Sequence, residues 1–212
     1  RVLFRSFIGL TNGGWFAWKN ILEPSIKASI TRYTAQQEED PIDLLVNDFP
    51  VATSTITAKG YIVRHASSTG PGISLLEKNA QTLMPIASLT KLVTAATASR
   101  FITADKRITI SGDVISTYGN TAGFKQGETF IAHDLMYPLL MVSSNDAAEA
   151  LARSYGRKKF ITAMNDFTQS IGAYRTYLVD PSGLSGDNVS TARDMAIILE
   201  WLNKNEPELI GI

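Results

Sequence analysis

Apolar residues recur at helical spacing along much of the second half of the chain. Leu89, Leu92, Val93 and Ala96 fall at i, i+3, i+4 and i+7, which predicts a helix with a buried face running to about Phe101. Residues 132–141 form a second apolar segment, apolar on most sides and so expected to be buried, with Pro138 expected to kink or split it. A helix with an acidic first turn follows around Ala147–Ala152, with Gly156 beyond its end. Lys158–Ile171 predicts another, with Phe160, Met164, Phe167 and Ile171 on one stripe and Gly172 as its stop. The last begins at Ser190–Thr191, where Thr191 and Asp194 have capping-box spacing, and runs to about Asn203.

Strand patterns precede this helical part. β-Branched and aromatic residues are dense from Ser54 to Val63 and again from Ile73 to Glu77, with Ser67–Gly72 as turn chemistry between them, so a β-hairpin is expected. Arg107–Ile110 is a short strand candidate, followed by loop punctuated by Gly119, Gly123 and Gly127. Nearer the start, Ile26, Ile30 and Tyr33 suggest a helix over 20–36, with Pro24 in its first turn. The polar, acidic run Gln36–Pro41 then reads as a linker. These patterns divide the chain into residues 1–52, an N-terminal segment, and 53–212, the main domain. Asp180–Gly186 is turn-forming, and no internal repeat occurs.

The chain starts at Arg1, so its true N-terminus is expected to have been removed or left out. The uncharged stretch between Arg5 and Lys19, rich in Phe and Trp, is too short and glycine-rich to span a bilayer. Two roles suit it: the trailing end of a signal or anchor segment, or an amphipathic segment docking on the domain.

Composition narrows the function. Across 212 residues, 44% are hydrophobic and 19% charged, as in a globular domain, and the net charge is zero. Nothing in that balance suits a nucleic-acid partner. The absence of cysteine removes disulfides, thiolate metal sites and a cysteine nucleophile, and is compatible with an oxidising envelope. With two histidines, His65 and His133, and no Gly-x-Ser-x-Gly, a histidine-based hydrolase is disfavoured. His133–Asp134 reads as first-turn helix chemistry, no metal-ligand spacing is recognisable, and the glycine patterns of phosphate and dinucleotide loops are missing. No cofactor or metal is expected.

Ser88 and Lys91 remain. Three apart at the start of a helix, they lie on one face, so the amine can reach the hydroxyl as a base must reach its nucleophile. Chance alone supplies roughly one Ser-x-x-Lys in a chain of this length. Ser143 and Asn145 fit two roles by themselves, catalytic groups or caps at a helix junction.

Pro85–Ala95, with Ser88 and Lys91, resembles the nucleophile motif of the serine D-Ala-D-Ala carboxypeptidases among the low-molecular-mass penicillin-binding proteins. Ser143-Ser144-Asn145-Asp146 resembles that family's Ser-x-Asn motif. The likeness continues in family order through Met164–Asn165, Ile171–Ala173, Pro181–Ser185 and Ser190–Ala196, over roughly residues 54–212. It implies a β-lactamase/transpeptidase-like α+β fold: an antiparallel sheet flanked by helices, with a helical subdomain carrying Ser-x-Asn. It also implies Ser88 as nucleophile, Lys91 as base, Ser143 as proton relay, Asn145 as a substrate-binding residue and the Ser88 N–H as half of an oxyanion hole. The partners implied are a peptidoglycan stem peptide ending in D-Ala-D-Ala, and β-lactams as inhibitors. The location implied is the cell envelope outside the cytoplasmic membrane, with a membrane anchor left open by the N-terminus.

The sequence departs from the family pattern in one respect. No Lys-Thr-Gly or Lys-Ser-Gly follows Asn145. The expectation is therefore a fragment without the C-terminal strands, with an open sheet edge and little or no turnover by these residues alone. A non-catalytic envelope binding module, a D,D-endopeptidase and a β-lactamase-like hydrolase are the alternatives. The Ser182–Ser190 loop is expected to be structural, near the site but outside its chemistry.

Overall fold

The computed structural model describes residues 56–65, 72–119 and 122–212. The helix expected over 20–36, the aromatic stretch before it, the acidic linker, the 52/53 boundary and most of the 67–72 turn lie outside the described residues. The chain divides into two compact units, 1–82 and 83–212.

In the first unit, β1 (Tyr61–His65) pairs antiparallel with β2 (Ile73–Lys78), Tyr61 opposite Lys78 and His65 opposite Ile73. The register shifts between Val63 and Arg64. The expected antiparallel pair is present, and among the described residues its pairing begins at Tyr61. After β2, Asn79 takes a left-handed φ of 48° and donates its side-chain amide to the Lys59 carbonyl at 2.8 Å.

The second unit is built round one helix. A 3-10 turn at Ala87–Leu89 leads into α1 (Thr90–Phe101), which packs against four further helices. These are α3 (Ala132–Met141), α4 (Asn145–Tyr155), α5 (Arg157–Ser170) and α6 (Ala192–Asn205). Burial of Thr90, Lys91 and every residue from Val93 to Ala98 shows that α1 is enclosed on nearly all sides, where a single buried face was expected. Its alanines and threonines are small enough for neighbours to approach closely, so a central helix can lack an apolar stripe.

The surrounding helices follow their patterns. On α5, Phe160, Met164 and Phe167 are buried, each worth about 1.5–3 kcal/mol of burial. Asn165 on the same helix donates to the Leu178 carbonyl and accepts its N–H, at 2.8 and 2.9 Å, fixing the strand-like segment that follows. At the start of α6, Thr191 accepts the Asp194 N–H at 3.0 Å, as its spacing predicted. Pro138 does not split α3. The N–H it lacks would have bonded to the carbonyl of Asp134, an exposed residue in the first turn of α3. Nor is α3 buried all round: Leu135, Met136 and Leu139 face inward, while Tyr137 and Met141 are exposed.

Short strands tie loops together between the helices. β3 (Met84–Pro85) pairs with β6 (Val189–Ser190), and β4 (Arg107–Thr109) with β5 (Thr129–Ile131), both antiparallel. β4 matches its expectation; β5 and the single-turn α2 (Gly112–Ile115) have too few residues to make a readable period. A last short helix, α7, spans Pro207–Ile210. The architecture is α+β, and the described strands form three two-stranded sheets. No described helix is long and apolar enough to cross a membrane.

Candidate active site

The turn at Ala87–Leu89 exposes Ser88 while the next turn buries Lys91, which is 2% exposed. Ala87 holds a left-handed φ of 44°, and the Leu89 N–H closes the turn on the Ile86 carbonyl at 3.0 Å. In such a turn residues three apart stack one above the other. The Lys91 amine accordingly lies 3.2 Å from the Ser88 hydroxyl. Ser88 therefore precedes α1, in a tighter turn than the expected helix start, and keeps the register that proton transfer needs.

Burial pushes the Lys91 amine down from 10.5 to about 8, while the negative charge of Asp180 raises it. A group that loses its proton near pH 8 can serve as a general base close to neutrality. The amine's second partner is the Ser182 carbonyl, at 2.7 Å.

That carbonyl belongs to a loop fitted tightly to the turn that carries Ser88. A Cβ on Gly183 would collide with the Ala87 carbonyl, and Gly183 has a φ of 85° that favours glycine. Within the loop the Asp180 carboxylate accepts the N–H groups of Ser182, Gly183 and Ser185 at 2.7, 2.7 and 2.8 Å, and the Ser182 hydroxyl at 2.8 Å. Burial would raise its pKa, but these bonds, that from Ser185 foremost, outweigh it and hold the carboxyl below its ordinary value. The Thr94 hydroxyl, one turn after Thr90, donates to the Pro181 carbonyl at 2.6 Å.

Asn188 closes the arrangement and is fully buried. Its amide donates to the Thr90 hydroxyl at 3.0 Å and to the Asp180 carbonyl at 2.9 Å. Its side-chain oxygen accepts the N–H groups of Val179 and Asp180, at 2.8 and 3.2 Å. Its backbone carbonyl accepts the Ile86 N–H at 3.0 Å. The 182–190 loop, expected to be structural, thus contributes a carbonyl directly to the Lys91 amine. Asp180 and Asn188 were not singled out by the sequence. The Asp-Pro-Ser-Gly pattern signals a carboxylate-closed turn, but the helix the turn docks on lies ninety residues earlier.

Ser143 and Asn145 sit where α3 passes into α4. Ser143 has a left-handed φ of 56°, and Asn145 is the first residue of α4. The helix cap is Ser144, buried, which accepts the Ala147 N–H at 2.9 Å and bonds to the Asp146 carboxylate. Asn145 donates its amide to the Tyr118 carbonyl at 2.9 Å. Gly119 lies so close that a Cβ there would come within 2.7 Å of that amide nitrogen. Among the described residues, neither Ser143 nor Asn145 is hydrogen-bonded to Ser88 or Lys91.

Comparison with known proteins shows the family. The D-alanyl-D-alanine carboxypeptidase family, Peptidase_S11, matches residues 47–212. A D-alanyl-D-alanine endopeptidase of Pseudomonas aeruginosa is 35% identical over 132 residues, 60% of this chain and 43% of that protein. The D-alanyl-D-alanine carboxypeptidase DacB2 of Mycobacterium tuberculosis is 37% identical over 120 residues, 54% of this chain and 40% of that one. The chain thus spans well under two thirds of the curated relatives it matches. Among solved structures, a D-alanyl-D-alanine carboxypeptidase from Mycobacterium tuberculosis superposes with a TM-score of 0.65 at 28% identity, over 70% of this chain and 56% of that one. Penicillin-binding protein D2 of Listeria monocytogenes, in its ampicillin-bound form, gives 0.57 at 31% identity, over 71% and 63%.

Proposed function

Because the chain belongs to the D-alanyl-D-alanine carboxypeptidase family, we propose that it carries the nucleophile half of a serine D,D-peptidase acting on stem peptides that end in D-Ala-D-Ala. The observation that supports this most is the buried Lys91 amine, 3.2 Å from the exposed Ser88 hydroxyl and deprotonating at about 8.

The Ser88 oxygen attacks the carbonyl carbon between the two D-alanines as its proton passes to Lys91. The Ser88 N–H supplies half of the oxyanion hole. Collapse breaks the peptide bond, and the departing D-alanine nitrogen takes a proton through the Ser143 hydroxyl. The remaining acyl group sits as an ester on Ser88 until water hydrolyses it. Asn145 hydrogen-bonds the backbone of the stem peptide. A β-lactam acylates the same oxygen, by opening of its ring. This substrate places the protein outside the cytoplasmic membrane. No cofactor enters the reaction.

Mass spectrometry of the whole protein after incubation with benzylpenicillin tests the reading: an adduct on Ser88 is expected, and its absence defeats it in favour of a non-catalytic binding module. Release of D-alanine from a linear stem peptide then marks a carboxypeptidase. Cleavage of a cross-linked dimer marks an endopeptidase, the reading that the Pseudomonas relative's activity favours.

A further inference from the structure

The Lys91 amine has an obvious partner in Ser88, but its shorter bond is to the Ser182 carbonyl, 91 residues away. A neutral amine has two N–H groups and one lone pair. With one N–H committed to that carbonyl, rotation about the Cε–Nζ bond is restricted and the lone pair has fewer directions to take. The position of Ser182 therefore governs the aim of the base.

Two buried side chains fix that position. The Asp180 carboxylate gathers the N–H groups on both sides of the Ser182 carbonyl, those of Ser182 itself and of Gly183. Asn188 fastens the start of the same loop to Thr90, the residue directly before Lys91. All four hydrogen-bonding positions of the Asn188 amide are used, and it is 0% exposed. A buried amide so fully engaged holds its partners to one geometry.

We propose that Asn188 and Asp180 are positioning residues for Lys91: Asn188 pins the Asp180–Ser185 loop to the first turn of α1, and Asp180 shapes that loop so that the Ser182 carbonyl orients the Lys91 amine towards Ser88. This rests on the reading of Ser88 and Lys91 as nucleophile and base. When the Ser88 proton arrives at Lys91, the ammonium that forms is met by the Ser182 carbonyl and by the negative charge of Asp180, so the same loop that aims the base also stabilises its protonated form.

Several other charges on the helices packed against α1 have partners of their own. Glu149 on α4 is paired with Arg153 and with Arg157 of α5. Asp146 on α4 accepts the Ser144 hydroxyl, and Asp194 on α6 accepts the Arg175 N–H and the Thr176 hydroxyl. On α3, His133 and Asp134 pair with each other near the surface. Arg157 also feels Asp180.

The test is carried out on the whole protein with labelled lysine side chains, following the Lys91 Cε resonance against pH beside the rate of Ser88 acylation by benzylpenicillin. Asp180→Asn keeps the shape of the side chain and removes its charge. The Lys91 midpoint is expected to fall below its wild-type value, the acid limb of acylation to move down with it, and the plateau rate to drop roughly tenfold as the base weakens. Thr90→Val keeps the volume and removes the acceptor for Asn188; shifts of the same sign and smaller size are expected. An unchanged midpoint and limb in folded Asp180→Asn overturn the inference. Should that variant not fold, Thr90→Val decides on the same readout, and an unchanged midpoint there overturns it. A wild-type protein that takes up no penicillin counts against the function reading alone, since the Lys91 titration needs no acylation.

Discussion

The two halves of the candidate site are held in different ways. Ser88 and Lys91 are fixed from a distance: the 180–188 loop contributes a carbonyl to the amine, a close glycine contact to the turn and a buried amide to the first helical residue. Ser143 and Asn145 are held by fewer bonds, a buried serine cap on their own helix and one bond from Asn145 to the Tyr118 carbonyl, 27 residues earlier. The difference follows from what each half has to withstand. A buried amine is costly unless its surroundings are rigid and polar, so its neighbourhood is cross-braced. A half-exposed amide can exchange partners with water and needs only to be presented at a helix end.

That contrast predicts unequal responses to substitution. The largest effect belongs to Lys91→Met, which fills the same space without a base and should slow Ser88 acylation by about 10³–10⁴-fold. It should also change stability with a definite sign. In the folded protein Lys91 deprotonates at about 8, against 10.5 for the ordinary group, so below about 8 the folded state bears the whole cost of a buried charge. That cost, about 3 kcal/mol, fades as pH rises from about 8 to 10.5. Urea unfolding across this range should show wild-type stability gaining on Lys91→Met as pH rises; a constant difference would show that the amine does not titrate there.

Gly183→Ala comes next. A collision with the Ala87 carbonyl and a positive φ together should cost about 2–4 kcal/mol. Because the loop backs the turn that carries Ser88, acylation of the folded fraction, if Ser88 acts as proposed, should slow as well. Loss of stability with full acylation would separate the loop from the site.

In the other half, Ser144→Ala should lower stability by about 1 kcal/mol through the lost cap, measured by thermal unfolding, with Lys91 titrating as before. The smallest effect is expected from Asp113→Asn, at an exposed pair with Arg153 in which the aspartate is 75% exposed. Unfolding should register less than about 0.5 kcal/mol. A larger loss there would mean that the α2–α4 contact braces the second half as strongly as the distant loop braces the first.

Helices were legible wherever their own residues decided them. The stripe of Phe160, Met164 and Phe167, the Thr191–Asp194 capping box and the glycine after α4 each state a local preference that packing had only to respect. Legibility failed where the preference was not local. The enclosure of α1 was underestimated because alanine and threonine reveal how close neighbours may come, not how many there are. α2 and β5 were missed because one turn, or three residues, is shorter than the period by which such elements are recognised.

The same division runs through the site. Sequence alone determined the pair Ser88 and Lys91, their helical register and their likeness to a nucleophile motif, because three residues along a helical turn is a fixed distance. It also determined that Asp180–Gly186 would turn. Only the tertiary structure decided that this turn packs on Ala87, that Ser182 offers its carbonyl to Lys91 and that Asn188 locks the two together. The physical reason is that a buried amine takes its proton affinity and its aim from whatever the fold brings to it across ninety residues of chain, and nothing in the spacing of Ser88 and Lys91 specifies that partner.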